Sequence, residues 1–437
     1  LIAGTVLGKE DGFGFLRPDA GGDDIFLPPA QMRRVLHGDR VMVSVTGIDR
    51  RGRQEGVIVE VLERRATRLV GVYSERGGVG LVDPDDARIH MDVVIPAQDR
   101  GEARNGQLVV CEIVEPPSGN RPPIGRVLTV LGDRLTASLV VETAIHSHGI
   151  PYEWPPETLR EAEATSLEVT QADREGRVDL RELPLVTIDG EDAKDFDDAV
   201  YCEQDRDGFR LIVAIADVSH YVRPGTALDR EATNRATSVY FPGFVVPMLP
   251  ETLSNGICSL RPKVERLCMV CDMRVDREGN VTGSKFYPAV MRSHARLTYT
   301  QVWQAIGEDD ADVQAQLGEV LEPVRRLFKL YRVFAKRRAQ RGALEFESTE
   351  VNFRLAPNGS VESMGAYERN DAHKLIEECM IAANVEAAKF LLKKKMPTPF
   401  RVHDRPPEGK YEDLQEFLAE FGLFLPAAYG KRTPTGE

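Results

Sequence analysis

The chain has 437 residues, which is too long for one ordinary hydrophobic core and predicts about three domains. Its 42% hydrophobic and 29% charged residues are typical of a soluble globular protein, and no apolar run approaches the roughly 18 residues of a membrane span. The net charge of −13 argues against a protein that binds nucleic acid over its whole surface, but it leaves room for a local groove.

Residues 1–64 contain short runs rich in Val, Ile and Phe, separated by Gly, Asp and Pro, such as GTVLGKEDGFGFLRPD and EGVIVEVL. This pattern is typical of a small all-β barrel. The plan recurs over residues 65–150, in LVGVYSERGGVGLVDPDD and IGRVLTVLG, and predicts a second barrel of the same type.

The first barrel carries aromatic residues at a spacing that suits base stacking. Phe13 and Phe15 in DGFGFLRPD stand two apart, so they share one strand face, and Phe26 follows in DDIFLPP. The segment resembles the ribonucleoprotein signature of cold-shock folds, which implies RNA contacts for these three residues. The alternative is a half-buried barrel face without a ligand. In the second barrel Val79 and Leu81 stand where stacking aromatics would be, which leaves its RNA contact open.

Residues 151–182 are Pro-rich at first and then acidic and helical, a composition that predicts a linker. Beyond it, strands alternate with longer helical patterns, which predicts a mixed α/β domain over residues 183–437. Within that domain, residues 321–331 have helical spacing, and residues 371–395 form a second predicted helix.

Six cysteines are scattered along the chain, and Cys268 and Cys271 form the one C-x-x-C pair. They lie in an apolar segment that predicts a strand, on which residues three apart point to opposite faces. We therefore expect buried thiols in a reducing cytoplasm and no zinc site. The chain begins at Leu1 and ends in TPTGE, and we expect both ends to be fragment ends.

The segment VTIDGEDAKDFDDAV carries five aspartates, of which Asp189 ends a predicted strand and Asp195, Asp197 and Asp198 come within four residues before the next strand; these four are the candidate ligands. Carboxylates at this density repel one another and need a positive partner. Oxygen ligands without Cys or His favour Mg²⁺, or Mn²⁺, over zinc. Because two such ions can activate water and stabilise a leaving oxygen, the segment predicts a metal-dependent phosphoryl-transfer site that all four aspartates would ligate.

Three other interpretations of this segment differ in the spacing they require. An EF-hand loop that starts at Asp195 would need an oxygen ligand and a glycine where Ala199 and Val200 stand. A phosphatase that forms an aspartyl phosphate would need D-x-D directly after the strand, but residues 190–194 intervene. A solvated acidic loop would not require close packing between two apolar strands.

Four long blocks follow one another beyond residue 185: VTIDGEDAKDFDDAVYC, LIVAIADVSHYVRPGTALDREA, TSVYFPGFVVPMLPETLSNGICSL and RNDAHKLIEECMIAAN. They resemble the catalytic domain shared by ribonuclease R and ribonuclease II, and the first and last blocks are closer to the ribonuclease R branch. The resemblance implies a multidomain protein with two OB-fold, cold-shock-like barrels and a ribonuclease catalytic domain. It also implies that a later catalytic arginine and a terminal S1-type barrel lie beyond Glu437, so the fragment is expected to cut slowly.

The family resemblance implies roles for individual residues. The catalytic aspartates would be the four named above, and Tyr240 would lie beside the terminal phosphodiester. Phe353 would pack with Tyr240 around the terminal bases, although a core position is the alternative, and Tyr299 would contact RNA further out.

The activity implied by the resemblance is hydrolysis of RNA from its 3′ end to 5′ nucleoside monophosphates, with Mg²⁺ as cofactor. The expected partner is single-stranded RNA or RNA with a 3′ overhang, and the expected state is a monomer away from membranes. One alternative is a non-catalytic RNA-binding or chaperone protein built on the barrels. Another is a magnesium-dependent phosphatase that acts on small esters.

Overall fold

The computed structural model describes residues 1–49, 52–65, 67–119, 121–132, 137–343, 351–356, 360–366, 369–402 and 408–425. The chain forms two compact units. The first unit comprises Leu1–Trp154, Ser238–Val246 and Asn352–Gly365. The second comprises Pro155–Thr237, Pro247–Val351 and Ala366–Glu437. None of the helices in the described ranges combines the length and the apolar character needed to cross a membrane.

The first barrel consists of five strands and a short helix: β1 (Ile2–Gly8), β2 (Gly14–Pro18), β3 (Ile25–Leu27), α1 (Pro29–Met32), β4 (Arg40–Ile48) and β5 (Gln54–Glu63). The strands close in the order β1-β2-β3-β5-β4. Side chains alternate across each strand, so Val6, Leu16, Ile25, Leu27 and Val43 fill the interior. This confirms the predicted all-β barrel.

The second barrel is built from β6 (Arg68–Arg76), β7 (Val79–Pro84), β8 (Val93–Ile95), β9 (Leu108–Glu115) and β10 (Ile124–Gly132), and the helix α2 (Ala137–Ser147) follows it. Its strands close in the order β10-β8-β7-β6-β9. Tyr73 is buried in its core, whereas Val79 is exposed. Gly71 is needed on β6 because a Cβ atom there would lie 2.3 Å from the Asp83 carbonyl oxygen.

Elements from residue 156 to residue 246 are α3 (Pro156–Ala164), α4 (Gln171–Arg174), β11 (Val178–Leu180), β12 (Val186–Asp189), β13 (Asp198–Gln204), β14 (Gly208–Ala216), α5 (Val218–Tyr221), α6 (Ala227–Arg235), β15 (Val239–Phe241) and β16 (Phe244–Val246). The remaining elements are β17 (Glu265–Asp276), β18 (Val281–Arg292), β19 (Ala295–Thr298), α7 (Tyr299–Ile306), α8 (Ala311–Leu317), α9 (Leu321–Gln340), β20 (Val351–Leu355), β21 (Val361–Ala366), α10 (Asp371–Lys393) and α11 (Glu408–Ala419).

Seven strands of the second unit form one sheet in the order β11-β18-β17-β14-β13-β12-β19. The side chains of Val200 and Val213 face α9 and α10, where Leu327 and Leu375 pack on them. Cys271 lies in this same layer and Cys268 lies in the layer on the other face, as the strand prediction required. All six cysteines are free and buried.

Most of the segment predicted as a linker, from Pro155 onward, is folded in the second unit. Helix α3 packs on α6, where Ala162 and Leu228 share one buried cluster. Strand β11 joins the sheet edge in parallel with β18, with Val178 opposite Ala289. The predicted helix over residues 371–395 is confirmed and ends two residues earlier, at Lys393.

Candidate active site

Two neighbouring strands bring aspartates to one end of the sheet. Asp189 is the last residue of β12, and Asp198 is the first residue of β13. The strands are antiparallel, with Val186 opposite Val200, so residues 190–197, here called the acidic turn, connect adjacent strand ends. Chain geometry alone therefore places Asp189 and Asp198 at the same end of the sheet.

A buried phenylalanine holds the acidic turn against the sheet. The Phe196 side chain packs in the cluster around Ala199 and Ile212. Its backbone N–H donates to Ser259 Oγ at 3.0 Å, and that hydroxyl donates to the Lys194 carbonyl oxygen at 2.7 Å. Because the residue between them points inward, Asp195 is half-buried and Asp197 is exposed.

The carboxylates perturb one another electrostatically. Burial, followed by the charges of Asp189 and Asp197, raises the pKa of Asp198 to about 7. Burial also raises the pKa of Asp189, although its own Oδ1 accepts the Gly190 N–H at 2.7 Å. Although Asp197 is accessible, desolvation and the charges of Asp195 and Asp189 raise its pKa. The cluster therefore carries repulsion that a bound cation would relieve.

The donor set fits a hard divalent cation. Asp198 Oδ2 is buried and has no hydrogen-bond partner among the residues that the structure describes, which is costly for a carboxylate oxygen unless a positive charge lies beside it. Oxygen-only donors suit Mg²⁺ or Mn²⁺. Among the described residues, however, no group of three or more His, Cys, Asp or Glu side chains is arranged so that it could hold a metal ion. Carboxylates that repel one another are expected to stand apart until a cation lies between them.

Tyr240 and Phe353 belong to the first unit, on two separate hairpins. Tyr240 is the central residue of β15, is 66% exposed, and lies just before the turn in which Gly243 has a φ of 72°. Phe353 lies on β20 and is 40% exposed, so it is not a core residue. A Cβ atom at Gly243 would lie 3.1 Å from Leu355 Cδ1, so the two hairpins are in contact. Their expected RNA contacts remain predictions.

Tyr299 begins α7, directly after the N-cap residue Thr298. Its ring stacks on His373, with centroids 4.0 Å apart and an interplanar angle of 22°. Sequence reasoning missed His373. The signal available was its place three residues after Asn370, where it completes the capping box of α10.

The three phenylalanines predicted on the first barrel form one aromatic cluster, with ring centroids 5.6 to 5.9 Å apart. Arg53, which sequence reasoning missed, lies over Phe26 at 4.3 Å and over Phe15 at 5.5 Å. Asp49 holds Arg53 through an ion pair of 2.6 Å. The available sequence signal was the polar segment between β4 and β5, to which Asp49 and Arg53 belong.

Comparison with known proteins identifies three domains along the chain. The RNB domain matches residues 177–433, the cold shock domain matches residues 81–155, and the ribonuclease B OB domain matches residues 4–61. The fold class expected from the sequence, two OB-like barrels followed by a mixed α/β ribonuclease domain, is confirmed.

The chain is similar to ribonuclease R of several bacteria. It is 50% identical over 427 residues to that of Escherichia coli strain K12, with 98% of this chain and 52% of the relative covered. It is 48% identical over 349 residues to that of Acidithiobacillus ferrooxidans, with 79% of each covered. The chain thus spans about half the length of the Escherichia coli relative.

Several solved structures share the fold. Mycoplasma genitalium RNase R in complex with ribose methylated single-stranded RNA matches with a TM-score of 0.90 and 25% identity, covering 99% of this chain and 68% of that one. Yeast Ssd1, a pseudonuclease, matches with a TM-score of 0.71 and 16% identity, covering 96% of this chain and 58% of that one.

Proposed function

The chain belongs to the ribonuclease R family, and we propose on that basis that it supplies the RNA-binding barrels and the metal site of a 3′→5′ exoribonuclease. The reaction is hydrolysis of RNA to 5′ nucleoside monophosphates, with Mg²⁺ as cofactor and Mn²⁺ as a substitute. We further propose a monomeric, cytoplasmic protein whose two barrels end at residues 64 and 150, as expected from the sequence, and whose residues 155–182 fold with the catalytic domain.

The observation that carries the proposal is the pair of strand ends bearing Asp189 and Asp198, with the buried unpartnered oxygen of Asp198 between acids of like charge. Asp189 and Asp198 would hold an ion from the sheet, and Asp195 and Asp197 would hold it from the acidic turn. The ion would supply the positive charge that attracts the scissile phosphate and activates water.

Aromatic side chains would hold the RNA strand. The exposed ring of Tyr240 is proposed beside the terminal phosphodiester, with Phe353 near it on the neighbouring hairpin. The stacked pair of Tyr299 and His373 offers a further flat surface. The aromatic cluster of the first barrel would stack bases further along a single strand or a 3′ overhang.

The alternative function is that of a non-catalytic RNA-binding protein. One observation supports this alternative, because yeast Ssd1, a pseudonuclease, shares the fold. Fold alone therefore does not decide catalysis. All four aspartates are present in this chain, which favours the enzyme.

The test uses a 5′-labelled single-stranded RNA oligonucleotide with and without Mg²⁺. The enzyme predicts stepwise shortening from the 3′ end that EDTA stops and that Asp197→Asn abolishes. Asp205→Asn is the matched control, because Asp205 lies in an exposed turn of the same unit and pairs with Arg274. RNA binding without shortening would favour the non-catalytic alternative, and turnover of a nucleotide monoester without RNA would favour a phosphatase.

A further inference from the structure

Arg296 lies on β19, the edge strand that pairs in parallel with β12. In this register Arg296 stands opposite Thr187, and Thr298 stands opposite Asp189. The arginine is therefore one strand away from the last residue before the acidic turn, although more than 100 residues separate Asp189 from Arg296 along the chain.

The Arg296 side chain contacts the acidic turn at both of its ends. Its Nη2 donates to the Gly190 carbonyl oxygen at 2.8 Å and to the Glu191 carbonyl oxygen at 2.5 Å. Its guanidinium carbon also lies 5.6 Å from the centre of the Phe196 ring. Gly190 and Glu191 follow Asp189 directly in the chain, and Phe196 lies between Asp195 and Asp197. Arg296 therefore contacts residues next to three of the four candidate metal ligands.

A second contact from the same region fixes the first end of the acidic turn. Thr300 Oγ1, in the first turn of α7, donates to Glu191 Oε1 at 2.5 Å. Arg296 and Thr300 thus reach the turn from β19 and α7, which are consecutive in the chain.

The chemistry of arginine suits this bridging. A guanidinium is planar and presents several donors in a rigid fork, so it can bond two carbonyl oxygens while facing an aromatic ring. A lysine carries the same charge on a compact ammonium and cannot reproduce that geometry. Outer groups that orient the ligands of a metal typically change its affinity by about 10- to 100-fold when they are removed.

We propose that Arg296 is a positioning residue that holds the acidic turn in the shape in which its aspartates and Asp189 bind a divalent cation. The proposal rests on the proposed function, because it takes the aspartates to be metal ligands. It assigns Arg296 no contact with RNA or with the reacting atoms.

The test measures Mn²⁺ binding to the purified chain by electron paramagnetic resonance, in wild type, Arg296→Gln and Arg296→Lys. Arg292→Gln is the matched control, because Arg292 lies on the same sheet in an exposed ion pair with Glu182. We expect Arg296→Gln to weaken Mn²⁺ binding about tenfold or more, Arg296→Lys to restore part of it, and the control to bind as wild type does. RNA shortening by Arg296→Gln should recover at saturating metal.

Wild-type Mn²⁺ affinity in folded Arg296→Gln would overturn the proposal. Circular dichroism checks the fold, and if Arg296→Gln does not fold, wild-type affinity in Arg296→Lys would overturn it instead. The proposed function fails separately, if wild type binds Mn²⁺ but does not shorten RNA. The comparison of metal affinities between the variants is unaffected by that outcome.

Discussion

Replacing Asp198 with asparagine removes a buried carboxylate whose pKa is raised to about 7, and the effect should appear in stability as well as in activity. In the unfolded chain this group has an ordinary pKa of 3.8. Burial and the charges of Asp189 and Asp197 then oppose its ionisation in the folded state. Wild type therefore loses stability as the pH rises from the unfolded pKa to the folded one, and the loss is complete above about pH 7.

The magnitude follows from the same two pKa values. Between about pH 5 and pH 8, the wild-type free energy of unfolding should fall by about 2 to 3 kcal/mol relative to Asp198→Asn. The asparagine leaves a buried polar atom without a partner, which costs about 1 to 3 kcal/mol at either pH. That cost cancels when the two pH values are compared, so the difference isolates the carboxylate.

Urea unfolding of both proteins at the two pH values, without metal, measures this difference. Addition of Mg²⁺ at about 100 times its dissociation constant should then stabilise wild type by about 2.7 kcal/mol and the variant much less. Asp198→Asn should also fail to shorten RNA. The reasoning is wrong if both proteins show the same pH dependence and the same response to Mg²⁺.

Two further predictions concern RNA binding by the first barrel and the buried ion pair between Arg177 and Asp217 in the second unit. Phe15→Ala should weaken binding of single-stranded RNA by about 1 to 3 kcal/mol in fluorescence anisotropy, whereas Val79→Ala in the second barrel should change it little. Asp217→Asn should lower the free energy of unfolding by about 3 to 5 kcal/mol, because Arg177 loses its buried partner at 2.6 Å. Burial opposes the ionisation of Asp217, but Arg177 and Ser219 outweigh it and lower its pKa, so this stabilisation should be present above the ordinary pKa and lost as the pH falls below it. A chemical-denaturation series in Asp217→Asn that matches wild type would exclude this role.

Local patterns in the sequence were sufficient to predict the strands of the barrels and the segment that carries the clustered aspartates. Alternating apolar residues predicted both barrels, because side chains of a strand alternate between its two faces. Asp189 and Asp198 are close together in the chain, so a strand, a turn and a strand were enough to bring them to the same end of the sheet. The family resemblance followed from the same long blocks.

Contacts between distant segments were decided by the tertiary structure alone. Arg296 meets the acidic turn only because β19 lies beside β12, and no local pattern specifies that order of strands. The pairing of His373 with Tyr299 likewise depends on how α10 packs against α7. The size of the pKa increase at Asp198 also could not be predicted, because its largest cause is burial, which depends on the complete packing of the sheet and its helices.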